Sequence, residues 1–231
     1  MAKTFDVDEK NVYSVPQMDY HLDLSIRPVG YPDVLVNDPE LALKNLEELA
    51  RDPAMGTNNH DFDYLKELYD ETKECAERLY KKYGNNTDDV VNYLKAQGFN
   101  PIRVGAVYGA GFYKDPFFQL VKGFYEPEGN GDTDGCKINF INAIVNKRPD
   151  GSLSYITNGT TGSNVDKLLE KKFEEQLKEK VPTEVAKVHF VYGSKTDPYM
   201  EELPSIASGL RTHNAGIHCH VAEEPDFNVV A

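Results

Sequence analysis

The 231-residue sequence predicts an α/β fold assembled from ββαβ units. Two observations carry that reading. Segments of alternating or continuous apolar residues alternate with helix-period segments along the chain. Residues 18–108 and 137–192 also run in the same order: strand, Pro/Asp/Gly turn, strand, helix, strand. A unit of this size cannot cover its own apolar face, so such units must pack on their neighbours. The chain holds two of them and the start of a third.

Residues 1–17 are polar and acidic and end at Val15-Pro16, which suits a tail or an edge segment. A single α/β domain is expected over 18–231. Its first strand is read from Met18 to Arg27, with Tyr20, Leu22, Leu24 and Ile26 on one face and His21, Asp23, Ser25 and Arg27 on the other. Pro28 and Gly30 are read as breakers, followed by a second strand, Val34-Leu35-Val36. Asp38-Pro39 is an N-cap with proline in the first turn, opening a helix over Glu40 to Arg51. A longer helix follows Asp61 and ends at Gly84, with Cys75 on its apolar stripe as a core residue. Thr87 caps a third, Asp88 to Gln97, closed by Gly98. Pro101 to Tyr108 reads as one buried strand. Residues 109–136 form a loop rich in Gly, Pro and aromatics, a functional candidate by its length. The second unit has strands over Ile138–Asn146 and Leu153–Ile156, a helix over Asn164–Lys180 capped by Ser163, and a strand over Val185–Tyr192. Residues 193–231 hold a loop and a last strand.

Composition bounds the partners. With 38 acidic against 25 basic residues the formal net charge is −13, which argues against nucleic acid and anionic membrane. No apolar run approaches the roughly 18 residues of a membrane span. Three cysteines, at 75, 136 and 219, make no even disulfide framework, and no segment resembles a signal peptide. A reducing, cytoplasmic setting is expected.

The last strand concentrates the chemistry. Thr212-His213-Asn214-Ala215-Gly216-Ile217-His218-Cys219-His220 carries one cysteine and three of the six histidines. Cys219 reads as a nucleophile, against the plainer use of a thiol as a small buried hydrophobe. Zinc through His213, His218 and His220 is the metal alternative; alternation puts His218 and His220 on one face and Cys219 on the other, and no second Cys/His pair closes a tetrahedral set. Asn130, Asp132 and Asp134 match the first half of a calcium loop, but its twelfth position is Ile141 where a bidentate glutamate is needed. No cofactor is otherwise expected. Under the repeat, His21-Leu22-Asp23, Asn139-Phe140-Ile141 and His218-Cys219-His220 occupy equivalent strands, so a pseudo-axis would bring His21, Asp23 and Cys219 together.

These residues resemble the guanidine-modifying superfamily, the penteins, whose catalytic domain is an α/β propeller of five ββαβ units. His21-Leu22-Asp23, with Pro28, Gly30 and the Val34-Leu35-Val36-Asn37 strand, is similar to the His-x-Asp strand of arginine, agmatine and peptidyl-arginine deiminases. Gly216-Ile217-His218-Cys219 is similar to the terminal Gly-x-His-Cys of the agmatine and peptidyl-arginine branches. The resemblance implies a deiminase-like hydrolase. Cys219 attacks the guanidinium carbon, His21 is the acid and then the base, and Asp23 binds the guanidinium, for which a carboxylate is a matching fork. Arg27, on the face of Asp23, is a candidate grip for a substrate carboxylate, with a surface ion pair as its plainer use. The substrate class is a guanidino small molecule or an arginine-containing protein, and amidino transfer is a variant of the same chemistry. The family's second substrate carboxylate lies on an earlier unit; here Asp6, Asp8 and Asp19 precede His21 without a unit around them. The propeller is therefore expected to be incomplete, with self-association or a missing partner chain to cover its open edges. The alternative reading is a non-catalytic or partner-dependent binding module that retains part of the fold.

Overall fold

The computed structural model of the chain describes residues 12–18, 22–56, 58–109, 138–160 and 163–191. The described residues form a mixed α/β structure with four helices and three small sheets. In the first sheet β1 (Ile26–Gly30) pairs antiparallel with β2 (Asp33–Asn37), and β2 pairs parallel with β3 (Asn100–Val104). Between β2 and β3 the chain forms α1 (Pro39–Leu49), α2 (Asn59–Tyr83) and α3 (Thr87–Ala96). Two short strands, β4 (Val107–Tyr108) and β5 (Ile138–Asn139), make an antiparallel pair. The third sheet joins β6 (Ala143–Lys147) antiparallel to β7 (Leu153–Asn158), and β7 parallel to β8 (Val185–Val191) across α4 (Asn164–Lys180). Both three-stranded sheets thus have the same strand order and senses.

Local chemistry explains the element ends. Asp38 caps α1 by accepting from Glu40 N and Leu41 N, and Pro39 begins the helix where its missing N–H costs nothing. Asn86 and Asp89 form a reciprocal capping box on α3. The cap is therefore one residue earlier than expected. Gly84 ends α2 at φ +70°, the left-handed position glycine favours.

The continuous Val34-Leu35-Val36 run fits a strand buried on both faces. On one face Ile26, Val34 and Val36 meet Val90, Val91 and Leu94 of α3. On the other, Leu35, Ile102 and Val104 join the main core, which continues through Leu46 and Leu68 to Phe140, Tyr155, Phe173 and Val188. On α4, Val165, Leu169, Phe173 and Leu177 recur every four residues and are all buried. One core therefore spans both larger sheets. Among the described residues no helix is long and apolar enough to cross a membrane.

Three expected strands differ. Within the expected Met18–Arg27 strand, residues 22–24 form a 3-10 turn closed by Ser25 N donating to Leu22 O at 3.1 Å, and β1 begins at Ile26; residues 19–21 lie outside the described residues. Asn139 Nδ2 donates to Leu24 O at 2.9 Å, so that carbonyl serves a side chain rather than a sheet ladder. Pro28 and Gly30, read as breakers, lie inside β1. Proline is tolerated there because β1 is at the sheet edge.

The Pro101–Tyr108 strand splits at Gly105-Ala106 between two sheets. A Cβ on Gly105 would lie 2.5 Å from Asn45 Nδ2 and 2.7 Å from Ala42 N, so only glycine lets the backbone press on α1. Its N–H goes to Gln176 Oε1 at 3.1 Å, and Ala106 N–H goes to Asn37 Oδ1 at 3.2 Å. The Ile138–Asn146 strand likewise splits at residues 140–142, where Asn139 Oδ1 accepts from Ile141 N and Asn142 N at 2.9 and 3.0 Å and turns the chain.

Candidate functional site

The 3-10 turn before β1 places Asp23 against the turn before β6. Residues 22–27 and 139–142, more than a hundred positions apart, form a polar seam there. Asn142 Nδ2 donates to Asp23 Oδ2 at 3.4 Å. Arg27 donates through Nε to Ile141 O at 3.2 Å and through Nη2 to Asn142 Oδ1 at 3.4 Å. Arg27 therefore directs two of its donors to the seam.

Every carbonyl of the 139–142 turn is met by a side chain. Asn158 Nδ2 donates to Asn139 O at 3.4 Å. The Tyr155 hydroxyl lies 2.9 Å from Phe140 O and 3.3 Å from Ile141 O, and Thr157 Oγ1 lies 2.9 and 3.1 Å from Phe140 O and Asn142 O. Burial pushes the Tyr155 phenol well above its ordinary pKa, which keeps it a donor. Buried carbonyls outside a sheet ladder have to be satisfied in this way. The result is a rigid floor beside Asp23.

A cavity of about 250 Å³ opens nearby, at the carboxyl ends of β2 and β3. In α/β sheets this is where ligands commonly sit. Thr72, Cys75, Leu79 and Tyr80 of α2 form one wall, and Ser25 and Asn37 lie across from them. At its rim Arg103 bridges Asp38, at 3.2 Å, and Asp88, and these two carboxylates hold its guanidinium firmly protonated, Asp88 most strongly. Cys75 is buried, as the helix pattern implied, yet it also faces this cavity, with Arg78 Nη2 3.8 Å from its sulfur.

No protein-family model, curated protein or solved structure matches this chain. The residues themselves must carry the functional argument.

Of the predicted site residues, Asp23 and Arg27 are brought within reach of one shared partner, Asn142. His21 and Cys219 lie outside the described residues, as do His213, His218, His220, the calcium candidates Asn130, Asp132 and Asp134, the carboxylates Asp6, Asp8 and Asp19, and nearly all of the 109–136 loop. Among the described residues no cluster of three or more His, Cys, Asp or Glu side chains is arranged to hold a metal ion. Neither Asp23 nor Arg27 is among the described residues that line the cavity. Asn139 and Asn142 escaped the sequence reading because they sit in the apolar run Ile138-Asn139-Phe140-Ile141-Asn142-Ala143-Ile144, which reads as strand. Two asparagines in such a run were the available signal, since asparagine is depleted in strands and favours turns.

Proposed function

We propose that the chain is a pentein-type, deiminase-like hydrolase of a guanidino substrate, working in a cytoplasmic setting. The observation that carries this reading is the seam: the turn bearing Asp23, two residues after His21, meets the corresponding turn ahead of a second sheet of the same strand order. Convergence of equivalent pre-strand segments is what ββαβ units around a pseudo-axis require. It supports taking the two sheets as repeat units.

In this reading the Cys219 thiolate forms a bond to the guanidinium carbon, and the leaving nitrogen departs as ammonia with a proton from His21. His21 then takes a proton from water. The water oxygen adds to the thiouronium carbon, the C–S bond breaks to return the thiolate, and the remaining hydroxyl proton passes to the released ammonia, giving the ureido product and ammonium. Ionising a free thiol of pKa near 8.5 at pH 7 costs about 2 kcal/mol, which the bound guanidinium cation offsets. Asp23 holds that cation.

The test is incubation with arginine, agmatine and an arginine-containing peptide, reading ammonium release and the ureido product by mass. Activity lost in Cys219→Ser and His21→Ala is the expected result. No ammonium from any of the three substrates overturns the reading.

A second reading has its own support: the described residues contain two sheets of this kind, where a closed propeller has five. A partner-dependent assembly module would then be inactive alone and self-associate in sedimentation velocity. A compact monomer at low concentration argues against it.

A further inference from the structure

We propose that the cavity at the carboxyl ends of β2 and β3 binds a small carboxamide or ureido compound, whose carbonyl oxygen is received by Asn37 and the start of α3; the inference does not rest on the deiminase reading. Asn37 is 6% exposed and is held at three points. Its N–H goes to Ser25 O at 2.8 Å, its carbonyl oxygen accepts from Thr87 Oγ1 at 3.2 Å, and its Oδ1 accepts from Ala106 N at 3.2 Å. A backbone N–H can only donate, so the last contact fixes the amide, with Oδ1 toward Ala106 and Nδ2 at the opposite end. Nδ2 has no acceptor among the described residues, and it is not sealed in the core; the open space that Asn37 borders is the cavity. A buried amide donor in that position calls for an oxygen from outside the protein.

The first two N–H groups of α3 lie beside the same space. The Asn86 side chain takes only Asp89 N, so Thr87 N and Asp88 N make no hydrogen bond among the described residues, and both residues line the cavity. The positive end of the α3 dipole stands behind them.

Charge decides what kind of oxygen these donors receive. The described lining residues carry three carboxylates, Asp38, Glu40 and Asp88, against the guanidinium of Arg103, which Asp38 and Asp88 already engage. An anion meets that excess of negative charge, and a simple cation leaves the donors unmet. A carboxamide or ureido group answers both, since its oxygen accepts while N–H groups in the same plane donate to carboxylates. Met18, Ala76 and Leu79 offer apolar wall to a short alkyl chain, and a volume of about 250 Å³ suits a molecule below drug size.

The experiment is titration of the full isotope-labelled chain with valeramide and n-butylurea, followed by amide NMR signals, with valerate and n-pentylammonium as charged counterparts. The Asn37 side-chain signal, identified by its absence in Asn37→Asp, shifts saturably with both neutral probes, together with the Thr87 and Asp88 backbone signals. Affinity in the millimolar range is expected for fragments of this size. Valerate binds more weakly than valeramide. Asn37→Asp keeps an oxygen for Ala106 N and replaces the donor with an acceptor; it weakens both neutral probes about tenfold, read at Thr87 and Asp88, and strengthens n-pentylammonium. Leu79→Trp, on the α2 wall, blocks every probe with unchanged far-UV circular dichroism.

Tighter binding of valerate than of valeramide would mean an anion site and overturn the proposal. So would undiminished binding of the neutral probes in a folded Asn37→Asp, or the absence of saturable shifts at Asn37, Thr87 and Asp88 in the unchanged chain, which would leave water as the oxygen on Nδ2. Where Asn37→Asp does not fold, Leu79→Trp decides: undiminished binding there places the probes elsewhere and the inference falls.

Discussion

At the scale of single residues, two buried phenols carry a large part of the polar core. Tyr155 holds the 139–142 turn, and Tyr108 joins Asn45 Nδ2 at 2.8 Å to Gly105 O at 2.7 Å. Burial raises both pKa values above the unfolded value near 10. A raised folded pKa means that the folded state keeps a proton the unfolded state releases. Their stabilisation is thus complete below pH 10 and is lost as pH climbs above it. Each phenol should lower stability by about 1 kcal/mol between pH 10 and 11. Urea unfolding at pH 9 and pH 11 should therefore show a smaller pH-dependent loss, by about 1.4 kcal/mol, in Tyr155→Phe or Tyr108→Phe. A loss identical to that of the unchanged protein would contradict the assigned burial effect.

Among the elements, the start of α1 shows how one side chain does two jobs. Asp38 accepts from two backbone N–H groups of the first turn and pairs with Arg103; its side chain is 8% exposed and that of Arg103 is 36% exposed. Asn at an N-cap retains the acceptor, while Ala does not. Asp38→Asn should cost about 0.5–1 kcal/mol, the share of a partly exposed ion pair, and Asp38→Ala about 1–2 kcal/mol. Equal costs in urea unfolding would show that the cap contributes nothing beyond the charge. Since both groups rim the cavity, the same variants change its mouth without touching the Asp23 seam.

Across the whole molecule, Phe173 is the hinge of the packing argument. It stacks on Phe140 with ring centroids 5.0 Å apart and lies 5.7 Å from Tyr155, while α4 also reaches α1 and α2 through Lys172–Glu48 and Tyr64–Asp166 contacts. A core shared between the sheets predicts one cooperative transition. Phe173→Ala should cost about 3–5 kcal/mol and shift far-UV dichroism and tyrosine fluorescence together. Separation of the two probes would show that the sheets unfold independently.

Much of this architecture was legible in the chain. The two ββ-helix-β orders, the Asp38, Ser163 and Gly84 helix signals and the apolar stripe of α4 are local patterns, and local patterns depend on near neighbours alone. The splitting of two strands was not legible. Gly105 and residues 140–142 leave their strands because Asn45, Gln176, Asn139, Tyr155 and Thr157 satisfy their backbone from elsewhere in the fold. The sequence by itself marked Asp23 and Arg27 as a pair on one short segment. Only the tertiary structure decided that both meet Asn142, because a side-chain hydrogen bond across more than a hundred residues is set by how the sheets pack, and no spacing along the chain encodes it.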